Sequence, residues 1–159
     1  MEPGDLLVSF DVVSLYTKIP IQESIDIINR ITNKGTAMLV GLYLTSTFFS
    51  FQGEFYEQTC GVVMHSPLSP IVTNLFMEYF ETKALASAQF HPKKWKRFVD
   101  DTCVIWPHGH EKLDLFLNHL NSQSESIKFT MEIEENDRFL FLDILLSRRD
   151  DGSDCHQVF

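Results

Sequence analysis

The 159 residues carry 22 acidic and 13 basic side chains, a formal net charge of −9, and 44% of them are hydrophobic. That is one domain or a piece of one with material for a core, and it excludes wholesale disorder, collagen-like and coiled-coil architectures. The longest apolar runs fall far short of the ~20 residues a bilayer-spanning helix needs, and the acidic start Met1-Glu2-Pro3-Gly4-Asp5 lacks the apolar stretch of a signal peptide.

Leu6 to Phe10 is a short β-prone run ending at Asp11, which predicts a buried strand with a carboxylate at its C-terminal end. After Pro20, the apolar residues Ile21, Ile25, Ile28 and Ile31 fall at helical spacing, and Asn33-Lys34-Gly35 interrupts it. A second helix is expected from about Thr36 to Thr47. Phe48 to Phe51 and Glu54 to Gln58 flank Gln52-Gly53, which predicts a hairpin. Ser66, Pro67, Ser69 and Pro70 are helix-start signals. Behind them Leu68, Ile71, Val72, Leu75, Phe76, Tyr79 and Phe80 make one broad apolar face.

His91 to Lys96 reads as a loop or the beginning of a strand. Arg97 to Val99 and Thr102 to Trp106 are β-prone runs around Asp100-Asp101, predicting a hairpin with two acids at its tip. Leu113, Phe116, Leu117 and Leu120 mark an amphipathic helix. Phe129, Met131 and Ile133 alternate with Thr130, Glu132 and Glu134, the pattern of a half-buried strand. Glu135-Asn136-Asp137 turns the chain into a further strand over Phe139 to Leu146, and the polar tail from Arg148 is expected to fray. Helices interleaved with antiparallel hairpins predict an α+β fold, an antiparallel sheet with helices on one face. Cys60, Cys103 and Cys155 lie far apart, an odd number without zinc-site spacing, which suits a reducing, intracellular compartment.

The chemistry centres on carboxylates at strand ends: Asp11, Asp100 and Asp101. Three such groups, if they converge, supply the hard oxygen ligands that magnesium prefers. Two ions so held would activate an attacking hydroxyl and stabilise a leaving pyrophosphate. Spacing alone does not bring them together, and an Asp-Asp pair at a hairpin tip is by itself an ordinary solvated turn.

Longer stretches add to this. Ser9 to Pro20 (SFDVVSLYTKIP) resembles motif A of the reverse transcriptases of Penelope-like retroelements. Gly61 to Pro70 (GVVMHSPLSP) resembles their motif B, with Gln58 where the family often has glutamine and His65 where it usually has glycine. Arg97 to Asp101 resembles motif C, the aromatic-x-Asp-Asp box, and Phe141-Leu142-Asp143 resembles the segment that follows. The motifs occur in family order from about Leu6 to Leu146.

The resemblance implies the palm of an RNA-directed DNA polymerase, a nucleotidyltransferase, over residues 1–147, with fingers and thumb outside it and a polar tail over 148–159. It makes Asp11, Asp100 and Asp101 the catalytic carboxylates and the Mg²⁺ ligands, with the Val12 carbonyl assisting. Tyr16 would be the aromatic gate against a ribonucleotide 2′-hydroxyl, the alternative being a core aromatic. Gln58, Gly61, Ser66 and Pro67 would lie near the nucleotide. The implied partners are an RNA template, a DNA primer and a dNTP, without a membrane, and a nuclear location follows from resemblance alone.

Lys93, Lys94, Lys96 and Arg97 give four basic residues in five around Trp95, just before the acidic hairpin. They suit a primer or template phosphate, or else form a solvated basic loop. His108 and His110 lack a third metal ligand in the sequence and read as a surface loop. Lys128 suits an ordinary strand start better than a proton donor to pyrophosphate. With the acidic balance and without fingers and thumb, the isolated chain is expected to be weak or inactive as a polymerase. The rival readings are a catalytically dead retroelement remnant acting as a binding module and, more weakly, a metal-dependent nuclease.

Overall fold

The first apolar run forms strand β1 (Leu6–Val12) in a computed structural model that describes residues 2, 4–64, 66–148 and 154–158. The chain divides into two compact units, one of residues 1–13, 87–124 and 128–159, the other of residues 14–86 and 125–127. His65 lies outside the described residues.

The first unit is built on a four-stranded antiparallel sheet. β1 is central, with β5 (Asp101–Trp106) on one side and β6 (Phe129–Ile133) on the other, and β4 (Lys94–Phe98) pairs with the far edge of β5. Alternation decides what each face carries. Phe10, Trp95 and Trp106 turn to one face and meet Phe116 of helix α5 (Leu113–Ser122), with ring centroids 5.8, 6.1 and 4.9 Å away. Leu113 and Leu120 of the same helix are fully buried. Trp106 can be buried because its indole N–H donates to the Gly109 carbonyl at 2.9 Å. The start of β6 is fastened by Asn121, whose amide accepts from the Phe129 N–H at 2.7 Å and donates to the Phe129 carbonyl at 3.2 Å.

Beyond β6 the turn at Asn136-Asp137 has both residues at positive φ, as a two-residue hairpin turn requires. The expected single strand over Phe139 to Leu146 is instead two, β7 (Arg138–Phe141) and β8 (Ile144–Arg148), folded on each other at Leu142-Asp143. Leu142 takes a left-handed φ of 53° there, a turn with none of the usual Gly or Asn to announce it. The expected frayed tail is also corrected: β9 (Asp154–Val158) pairs with β8 to complete a three-stranded sheet. Main-chain pairing along a free strand edge needs no apolar pattern, so composition did not reveal it.

The second unit holds α1 (Leu15–Lys18), α2 (Ile21–Ile31), α3 (Lys34–Thr45), the hairpin β2 (Phe48–Phe51) and β3 (Glu54–Glu57), and most of α4 (Ser69–Ser87). The side chain of Asn33 caps α3 by accepting from the Thr36 N–H at 2.9 Å. α2 and α4 meet where the Arg30 guanidinium lies 6.0 Å from the Tyr79 ring centroid. The buried stripe of α4 is Val72, Phe76, Phe80 and Ala84, whereas Ile71 and Tyr79, expected on that face, are exposed. A helix apolar nearly all round does not announce which stripe is covered. Among the described residues, no helix is long and apolar enough to cross a membrane.

Candidate active site

Because Phe10 faces α5, its neighbour Asp11 must face the other way. On that open face Asp11 sits directly between Asp101 of β5 and Thr130 of β6 in the strand register. Cross-strand partners of this kind have Cα atoms ~4.5–5.5 Å apart. Asp11 and Asp101, 90 positions apart in sequence, are thus neighbours in space. Asp100 occupies the β4–β5 turn, and its carbonyl accepts from the Val12 N–H at 3.2 Å, tying the acidic tip to the end of β1. Val12 itself is buried and paired with Phe129. Both acids are expected at the hairpin tip; Asp100 is there, and Asp101 is the first residue of β5.

The electrostatics follow from that placement. Partial burial is the largest influence raising the Asp11 carboxyl above its ordinary value of 3.8, followed by the charges of Asp100 and then Glu132. Asp101 is raised likewise, by burial first and then by Asp100, Asp11 and Glu132. Glu132 is a fourth carboxylate of this neighbourhood. It stands across from Ser9, one row along from Asp11. Its alternation with Met131 and Ile133 puts it on the open face, but only the pairing of β6 with β1 brings it beside Asp11.

The donors fit a hard divalent cation: they are carboxylate oxygens, and their mutual repulsion is what such a cation relieves. As the side chains stand, no three His, Cys, Asp or Glu residues among those described form an ion-holding group.

The basic stretch does not act as one patch. Lys93 ion-pairs with Glu2 and donates to both carboxylate oxygens of Asp5 at 2.8 and 3.1 Å. Arg97 belongs to the row of Phe10 and Thr102, on the face opposite Asp11, and donates to the Val99 carbonyl at 3.1 Å. Lys94 and Lys96 alternate onto the open face, on the edge strand beyond β5, and are exposed. Lys128 donates to the carbonyls of Asn121 and Ser124 at 2.7 and 2.9 Å, which suits a structural role. His108 packs on Trp106 and Phe90 with Nε2 3.0 Å from the His91 carbonyl, as a loop histidine.

The remaining expected site residues belong to the second unit. Tyr16 is half-buried on α1. Gln58 donates to the Cys60 carbonyl at 2.9 Å, and its own N–H closes the β2–β3 hairpin onto Thr47. Ser66 is buried; its hydroxyl lies 2.7 Å from the Tyr43 hydroxyl and accepts from the Leu68 N–H at 3.2 Å. Pro67 beside it is exposed. Gly61 is buried with φ +70°, and its closest approach is to the backbone of Thr17.

An antiparallel sheet with paired aspartates on its open face and a helix behind it defines a palm-type α+β fold, the kind on which nucleic-acid polymerases are built. Solved structures agree. Apo telomerase from Candida tropicalis superposes with a TM-score of 0.72 at 12% identity, over 92% of this chain and 32% of that one. Telomerase from Candida albicans in complex with a TWJ fragment of telomeric RNA gives 0.68 at 11%, over 95% and 31%. The BmCPV RNA-dependent RNA polymerase at elongation state gives 0.54 at 15%, over 91% and 16%. At these identities the likeness is one of fold, and the chain spans about a third of the length of the telomerase chains it matches.

The family described as reverse transcriptase (RNA-dependent DNA polymerase) matches residues 2–135, and the chain belongs to that family. No curated protein matches it by sequence.

Proposed function

We propose that these residues are the palm of a Penelope-like retroelement reverse transcriptase, serving nucleotidyl transfer from a dNTP to the 3′-hydroxyl of a DNA primer on an RNA template. The observation that carries this is the register pair Asp11–Asp101 on the open face of the sheet, with Asp100 beside it. Asp11, Asp100 and Asp101 would hold the Mg²⁺ ions, with the Val12 carbonyl assisting. When bound, such ions activate the attacking hydroxyl and stabilise the charge on the leaving pyrophosphate. The chain's own share is positional: the β1–β5 pairing fixes two carboxylates in advance, and the Asp100–Val12 bond holds the third nearby. Lys94 and Lys96, exposed on the edge strand of that face, would neutralise nucleic-acid phosphate. Tyr16 would discriminate against the ribose 2′-hydroxyl.

Ion-linked stability tests this reading. Wild-type protein should gain thermal stability on Mg²⁺ titration, and Asp11→Asn should not. Equal responses would refute it. Primer extension by the 159 residues alone should be very weak. Robust RNA-templated extension, lost on Asp100→Asn, would overturn that expectation.

The second reading is a non-catalytic binding module, a retroelement remnant that keeps the palm fold. The same titration separates the two, since a module without a working site should not respond to the ion.

A further inference from the structure

Tyr16 sits on a helix of four residues, α1, too short to hold its own shape in water. Leu15 and Ile19 anchor its inner side, 2% and 1% exposed, and Tyr16 is left half-buried between them. What fixes the Tyr16 backbone comes from 46 positions further on. The Val62 N–H donates to the Tyr16 carbonyl at 2.7 Å. The preceding Gly61 lies so close to the next peptide that a Cβ there would stand 2.6 Å from the Thr17 Cα, carbonyl carbon and carbonyl oxygen. All three are backbone atoms, so no side-chain rotation could make room. Gly61 is also at φ +70°, where a side chain is strained in any case.

The Gly61-Val62 segment is itself held on its far side. Val62 is buried. The Ser66 N–H reaches the Val63 carbonyl at 3.4 Å, and the Ser66 hydroxyl is fixed against Tyr43 of α3. The buried serine and the glycine, both expected to lie near the nucleotide, are thus engaged with the protein's own backbone and α3.

We propose that Gly61 is a positioning residue for sugar discrimination: by admitting the Thr17 backbone and aiming the Val62 N–H at the Tyr16 carbonyl, it sets the position of the Tyr16 ring. This rests on the reading of Tyr16 as the gate. Any side chain at position 61 must push the Thr17 backbone away and with it disturb the Val62–Tyr16 hydrogen bond one residue earlier, and a gate that works by contact loses selectivity when its backbone shifts by a fraction of an ångström.

Two measurements on wild type, Gly61→Ala and Tyr16→Ala test it. The first is amide hydrogen exchange at Val62, with Val104 in β5 as an internal control for folding. Gly61→Ala should speed Val62 exchange by ~10-fold or more and leave Val104 protected. The second is the ratio of dissociation constants for a dNTP and the matching rNTP in Mg²⁺. Wild type should favour the dNTP, Tyr16→Ala should erase the preference, and Gly61→Ala should reduce it in the same direction. An unchanged ratio in a folded Gly61→Ala, with Tyr16→Ala effective, overturns the role of Gly61 and leaves the gate reading standing. No sugar preference in the wild type overturns the gate reading itself and the proposal with it. If Gly61→Ala does not fold, replacing Val62 by its α-hydroxy acid deletes the donor without adding a side chain. Its nucleotide ratio must then fall, or the proposal fails.

Discussion

Asp11 of β1 and Asp101 of β5 are cross-strand partners on the open face of the sheet, and the charge of Asp11 adds to the cost of ionising Asp101. Burial and neighbouring carboxylates hold both groups above 3.8. A carboxyl whose folded value is raised contributes stability below its unfolded value, and that contribution is lost as pH rises through the folded value. At neutral pH, without divalent ions, the pair is therefore destabilising. Asp101→Asn in EDTA should raise thermal stability by roughly 0.5 kcal/mol, a small figure because the groups are largely solvated and screened. The gain should disappear as pH falls through the raised values towards 3.8. Calorimetry of both proteins across that range decides it; a pH-independent difference would show that repulsion is not the cause.

The opposite sign applies at the other end of β1. Asp5 is buried, and its carboxyl is held below 3.8 chiefly by hydrogen bonds from Lys93, with burial opposing. A depressed carboxyl contributes stability above its unfolded value and loses it as pH falls through the folded one. Asp5→Asn should therefore lower the denaturation midpoint at pH 7, with the deficit shrinking in acid below 3.8. A deficit that stays constant down to pH 2, read by urea denaturation, would assign the loss to packing.

These two pairs show what the sequence could and could not convey. The strand through Phe10-Asp11, the β2–β3 hairpin and the helix after Ser69 were legible because their periodicity or turn residues are local. The facing of Asp11 and Asp101 was legible only through resemblance to a family, because pairing across 90 positions leaves no local mark. Glu132 leaves no mark in the sequence for the same reason: its place depends on the β1–β6 register. The basic run was legible as charge and not as geometry. Alternation sends Lys96 and Arg97 to opposite faces, and Lys93 engages two acids more than eighty positions away. The turn at Leu142 was hidden because a leucine occupies a left-handed position there.

Val99, at the tip of the acidic hairpin, is a β-branched residue at φ 57°. That region costs a residue with a Cβ roughly 1–2 kcal/mol, while glycine gives back ~0.5–1 kcal/mol through its greater freedom in the unfolded chain. Val99 is exposed, so its side chain contributes little packing. Val99→Gly should stabilise the fold by about 0.5 kcal/mol, and Val99→Ile should not. Denaturant midpoints of the two variants are the check. A loss on Val99→Gly would mean that the exposed side chain makes a contact worth more than the backbone strain.

The two exposed lysines of β4 carry the most direct prediction about nucleic acid. Lys94 and Lys96 lie on the same face as Asp11 and Asp101, two strands out from β1. Lys93 is engaged with Asp5 and Glu2, and Arg97 lies on the face opposite the carboxylates. A nucleic-acid backbone crossing the open face would meet two basic residues of the four. Each phosphate contact contributes close to one unit to the slope of log affinity against log salt. The double variant Lys94→Gln with Lys96→Gln should weaken binding of an RNA–DNA duplex and reduce that slope by about 2. Lys93→Gln should leave the slope unchanged while lowering stability, because its partners are carboxylates of the same chain. Fluorescence anisotropy at several salt concentrations separates these outcomes. A slope that falls for Lys93→Gln and holds for the double variant would place the phosphate track on the wrong side of β4.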